Sequence, residues 1–193
     1  MKLVFQNLVR QILTYSLLIL IFGVAVPYVK GLGFLDPALL GAYACIGMVF
    51  AGPAAEQAFE KNPSTTGEAL RWIGRAVAFG EGLAVAMLGC GLATLYVTHS
   101  KMLTFPPDLS GLAMPLAMGL GLSLAVASMA GWMAVEFSVA SAKIALRLVF
   151  MGLLLAFFLR GNWLPGVLGE GTAVTVAAAC IFLGLLVQRL RRA

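Results

Sequence analysis

Apolar residues in this chain come in long runs separated by short polar stretches, rather than as one stripe per helix, which marks lipid as the solvent of the helices. Six runs read as membrane spans: residues 12–28, 37–54, 76–97, 112–135, 144–159 and 172–187. The one long polar interruption lies between the second and third runs, from Glu56 to Glu81. Pro63 breaks the helix before it, because proline has no N–H and clashes with the preceding turn. Thr65 and Glu68 have capping-box spacing, so a new helix starts there. On that helix Glu68, Arg71 and Arg75 share one face, and Leu70, Ile73 and Val77 share another. The pattern from Thr66 to Val97 covers 32 residues, more than the roughly 20 a bilayer core requires. The first two turns therefore belong in the headgroup layer, as an interfacial entry helix or as a docking surface for a cytoplasmic partner.

The other boundaries follow from punctuation. Asp36-Pro37 is an N-cap with proline in the first turn, and Pro53 falls near the end of the second span. Pro106-Pro107-Asp108 and the stretch Gly161–Gly171, with Pro165, read as loops. Glu170 reads as a charge at the start of the sixth span, favoured by the helix dipole. Met1–Gln11 places Lys2, Gln6 and Arg10 on one face and reads as an interfacial approach to the first span. A secretory signal is the weaker reading, since the apolar region is long and no A-x-A-like cleavage site follows.

Composition fixes the class. Of 193 residues, 61% are hydrophobic and 11% charged, against about 25% charged in soluble domains. This predicts one all-α, polytopic membrane domain over residues 1–193, placed in the cell membrane with the lipid bilayer as its main partner. The net charge of +5 is no nucleic-acid signal, because the basic residues sit at span ends without interleaved aromatics. Counted by loop, Lys2, Arg10, Lys61, Arg71, Arg75, Lys143, Arg147, Arg189, Arg191 and Arg192 fall on one side, and Lys30, Lys101 and Arg160 on the other. The positive-inside rule then puts both ends in the cytoplasm, with Tyr28, Tyr96 and Trp163 at the outer interface and Trp72 and Trp132 at the inner one. Cys45, Cys90 and Cys180 lie in apolar segments without a CxxC and read as small packing residues.

Two kinds of constellation remain. Helices in lipid associate through close packing, which needs small residues every fourth position. The third span offers Gly74, Ala78, Gly82, Ala86 and Cys90, and the fourth Gly119, Ser123, Ala127 and Gly131. These lines fit intramolecular packing, a subunit contact in a homo- or hetero-oligomer, or a sliding surface. Glu81 is the one acid deep in a span, and Arg147 is its best partner by position. A snorkelling interfacial pair is the plain reading, and a gate latch or proton site the functional one. No catalytic motif occurs. His99 is the single histidine, which provides neither a zinc site nor bis-histidine haem ligation, and there is no GxSxG, HExxH or Walker loop. No cofactor or metal is implied.

In layout the chain resembles the membrane subunit of ABC-2-type exporters, through Met1–Gln11, the segment Glu56–Arg75 with Glu60-Lys61 and Gly67-Glu68-Ala69-Leu70, and six spans with both ends inside. The resemblance implies a permease moving a lipid-like or small solute. It also implies a cytoplasmic ATPase docked through Glu60, Glu68, Arg71 and Arg75, and a second permease copy. The chain is short for that group, and residues 160–171 leave no room for re-entrant helices. Two other readings stay open: a membrane scaffold that assembles a larger complex, and a small secondary carrier or substrate-binding membrane component.

Overall fold

The computed structural model describes residues 13–35, 39, 43, 46–59, 63–99, 113–137, 144, 148 and 165–192. The regular structure among them is helical throughout: α1 (Leu13–Leu35), α2 (Gly47–Phe59), α3 (Thr66–His99), α4 (Ala113–Glu136) and α5 (Pro165–Arg192). Four of these, α1, α3, α4 and α5, are long and apolar enough to cross a membrane. Large apolar side chains stand on the outside, Leu17, Val29, Val85, Val97, Leu120 and Ile181 among them. So much outward apolar surface suits hydrocarbon and not water.

Side-chain contacts give the direction of every helix. Tyr15 packs edge-on to Phe50, and Phe22 to Tyr43, so α1 and α2 are antiparallel. Phe59 meets Trp72 while Gly47 lies against Gly80, so α2 and α3 are antiparallel as well. Gly47, Gly52 and Phe59 lie in turn on Ser123, Val126 and Gly131, so α2 and α4 are parallel. The first four helices thus alternate in direction. The fifth does not continue that alternation relative to its predecessor. Gly121 faces Thr175, Trp132 faces Phe182 and Glu136 meets Arg189, so α5 runs parallel to α4. One end of the bundle therefore gathers the starts of α1 and α3 with the ends of α2, α4 and α5. Among the described residues it carries Arg71, Arg75, Arg189 and Arg191, and the opposite end carries Lys30.

α4 is the central element. Its apolar window is 67% buried, against 39% in α3, 22% in α1 and 17% in α5. It is apolar on all sides, as a helix enclosed by others must be. Its two buried hydroxyls are partnered: Ser128 donates to the Leu124 carbonyl at 2.6 Å, and Ser123 reaches across to α3. One cluster, with Phe59, Ile73, Ala127 and Leu186, fills the arginine-rich end. A second, with Phe34, Tyr43, Met87 and Leu95, fills the other.

Several expected boundaries shift. The second helix passes through Pro53 and ends at Phe59, not near Ala54, with Pro53 itself exposed. The first runs past Tyr28 to Leu35 by tightening into a 3₁₀ turn at Gly31–Leu35. Gly31 makes that transition at φ 54°, a conformation that favours glycine, and the His99 ring sits where a β-carbon would point. The last helix begins at Pro165 and reaches Arg192, so Pro165 opens a helix rather than a loop, its missing N–H being one that a first turn leaves unbonded anyway. Glu170 then lies in the second turn of α5, two residues before the apolar span that begins at Thr172. Met1–Gln11, Asp36-Pro37, Glu60, Arg147 and most of residues 144–159 lie outside the described residues.

Candidate functional site: a glutamate where three helices meet

α2, α3 and α4 converge on Glu81. The meeting is made close by two glycines: a β-carbon at Gly80 would strike the Gly47 carbonyl, and one at Gly47 would strike the Glu81 carboxylate. Into the space left free, Glu81 of α3 extends and accepts a hydrogen bond from the Ser123 hydroxyl of α4. Ser123 is fully buried and near the middle of its 24-residue helix. Glu81 is itself near the middle of the 34-residue α3 and partly buried. The carboxylate thus sits near the middle of α3 and faces protein. Arg147, its expected partner, lies outside the described residues. Ser123 is the partner that sequence spacing left out. It appeared only as a member of a small-residue line, and the signal for its second role is that it is the one hydroxyl in that line.

The two small-residue lines have different fates. On α4, Gly119, Ser123, Ala127 and Gly131 are all buried, with Gly131 beneath the Phe59 ring. On α3, Gly74, Ala78, Gly82, Ala86 and Cys90 are all exposed, and Gly74 and Gly82 have open space beside them. The lines therefore do not face each other. The buried side of α3 is the one with Ala69, Ile73, Ala76, Val77, Gly80, Ala84 and Met87. Leu70, grouped with Ile73 and Val77 by spacing, is 45% exposed.

At the arginine-rich end α3 starts with a clear cap. Thr65 Oγ1 accepts the Glu68 N–H at 3.1 Å. The Glu68 carboxylate accepts the Ser64 N–H at 2.9 Å and the Ser64 hydroxyl at 2.7 Å. The capping box is shifted by one residue on its return side. These two bonds, with the nearby Arg71 charge, hold the Glu68 carboxyl below the ordinary carboxylate range. Arg71 also donates to the Gly67 carbonyl at 3.3 Å, and both Arg71 and Arg75 are exposed. The turn is thus a presented, charged surface. At the same end the Arg189 Nε to Glu136 Oε2 pair, at 2.8 Å, ties α5 to α4. Beside it lies a cavity of about 250 Å³ lined by Trp132, Glu136, Leu185, Gln188 and Arg189. A groove of about 480 Å³ runs along α5 past Leu183, Gly184 and Val187. Glu81 lines neither.

α1 carries an irregularity in its winding. Residues Ile21–Ala25 are wound as a π-helix, and Pro27 follows in the next turn. The Tyr43 hydroxyl donates to the Phe22 carbonyl, and Thr94 Oγ1 lies 3.0 Å from the Gly23 carbonyl. Among the described residues no three His, Cys, Asp or Glu side chains converge as metal ligands, and Cys90 and Cys180 are free thiols. Compared with known proteins, the chain matches no family model, no curated protein and no solved structure.

Proposed function

We propose that this chain is a multi-pass permease subunit of the cell membrane, crossing six times with both ends in the cytoplasm. The path of a small or lipid-like solute would pass beside Glu81. The observation that carries the reading is the carboxylate held at mid-depth between Gly47 and Ser123. A carboxylate there costs at least ~2.5 kcal/mol on insertion scales and persists where ions, protons or polar groups are handled. Six crossings are supported by the parallel run of α4 and α5, because residues 137–164 must carry the chain from one end of the bundle back to the other. The inside assignment rests on Arg71, Arg75, Arg189 and Arg191 sharing one end.

Two sources of energy are supported by different observations. The mid-depth carboxylate, together with a π-wound first helix, favours a small carrier coupled to an ion. The capped, charged start of α3 favours an ATPase docked on Glu68, Arg71 and Arg75. Purification from the native membrane, followed by reconstitution with a pH-sensitive dye inside the vesicles, separates them. A lone protein that dissipates an imposed proton gradient, and fails to do so as Glu81→Gln, establishes the carrier. An ATPase that co-purifies and is lost on charge reversal at Glu68 and Arg71 establishes the driven permease. A large assembly with neither property overturns both in favour of a scaffold.

A further inference from the structure

The irregularity in α1 has a single cause in the sequence. Pro27 has no N–H, so one carbonyl loses its donor: that of Gly23, four residues before, where the helix is wound as α, or that of Phe22, five before, where it is wound as π. The chain takes the π winding here, with the Val26 N–H reaching back to the Ile21 carbonyl. An unbonded carbonyl inside a membrane is costly, so neighbouring helices must supply what proline removed. They do so at both of these positions. The Tyr43 hydroxyl takes Phe22, and the Thr94 hydroxyl takes Gly23.

The two clips differ in kind. Tyr43 is almost fully buried, with its ring edge-on to Phe22 and to Phe34. Thr94 Oγ1 lies 3.0 Å from the Gly23 carbonyl and 2.9 Å from the Cys90 carbonyl of its own helix. A hydroxyl has one hydrogen to give. Thr94 can hold α1 or turn back on α3, and it is satisfied either way. That makes the contact easy to release.

The two halves of α1 are also held differently. Beyond the joint, the Phe34 ring lies on Gly91 and Gly31 lies under the His99 ring. Before it no residue from 13 to 20 is buried: Leu18 and Ile19 lean on the same core partly exposed, and the ring contacts are those of Tyr15 with Phe50 and Phe79, whereas Pro27, Gly31 and Phe34 beyond the joint are buried. We propose that α1 is a jointed helix: residues 13–20 swing about the Ile21–Ala25 segment when the Tyr43 and Thr94 hydroxyls release the Phe22 and Gly23 carbonyls, while residues 26–35 stay docked on α3. Moving the extra residue of the π turn out of the segment would rotate one half by about 100° relative to the other. As the moving part of a permease, the joint rests on the transport reading. As a mechanical element it does not, and its test reads backbone opening rather than transport.

The test is amide hydrogen exchange on the full chain in lipid nanodiscs. Tyr43→Phe with Thr94→Val removes both hydroxyls and keeps the side-chain shapes. Exchange over residues 14–25 should rise about tenfold, while residues 28–35 and α3 hold their rates. Thr94→Ser, which keeps the hydroxyl, should exchange as the native chain does. Pro27→Ala restores the missing donor and should slow exchange over residues 14–25 below the native rate. Equal acceleration on both sides of the joint, no acceleration at all, or faster exchange in Pro27→Ala would overturn the proposal. Slower exchange in Pro27→Ala with undiminished transport would keep the joint and remove its role in transport.

Discussion

Glu81 and Glu136 each reach from one helix to another, and they do so in opposite settings. Glu81 crosses at mid-depth to a neutral hydroxyl, wedged where Gly47 leaves no atoms of its own. Glu136 crosses at the arginine-rich end to a full positive charge, Arg189, with both side chains more than a third exposed. On charge alone the second pair is the stronger. Setting reverses the order. Water and headgroups screen an exposed pair and offer each partner an alternative. At mid-depth there is little else to bond to, and the geometry is fixed by the glycines on either side. The weaker chemistry in the drier place should matter more to the fold and to function.

The first way to break that comparison is Gly47→Leu. Its side chain would have to occupy the Glu81 carboxylate position and would part α2 from α3 and α4. A loss of about 3 kcal/mol or more is expected, read from thermal unfolding in detergent. An unfolding curve like that of the native chain would mean that the close approach is not needed. Next comes Glu81→Gln, which keeps the length and an acceptor for Ser123. Unfolding should move by less than ~1 kcal/mol, while transport into reconstituted vesicles falls about tenfold or more. Full activity would strike Glu81 from the path. Ser123→Ala leaves the carboxylate without its described partner and should cost about 1 kcal/mol, within the range found for interhelical bonds in membranes. The smallest effect belongs to Glu136→Gln, expected at under ~0.5 kcal/mol and shrinking as salt is raised. If it costs as much as Ser123→Ala, then depth does not rank these contacts.

Much of the fold could be read from hydrophobic runs, because a chain that must satisfy its backbone inside lipid has few choices. The cap at Thr65 and Glu68 was legible for the same reason: its chemistry is local. What could not be read was which face of a long apolar helix turns inward. Gly74–Ala78–Gly82 and Gly119–Ser123–Ala127 look alike as spacing, yet the first faces out and the second is buried. Periodicity reports that a face is small, not what stands opposite it. Ser123 was hidden as a partner for Glu81 because the two are 42 positions apart and meet only through the glycines of a third contact. The winding of α1 was half legible. Pro27 announces a carbonyl without its donor, but nothing local says that Tyr43 and Thr94 will stand beside it.

The common direction of α4 and α5 also sets an order of events during synthesis. Antiparallel neighbours can close as a hairpin soon after both have left the ribosome. A parallel pair cannot, since the intervening chain must first travel the full height of the bundle. Until Pro165 onward has followed, the side of α4 that will hold Thr175 at Gly121 and Arg189 at Glu136 stands open to lipid. A nascent chain stopped just after Glu136 should therefore insert its first four helices and still be a target for membrane quality control.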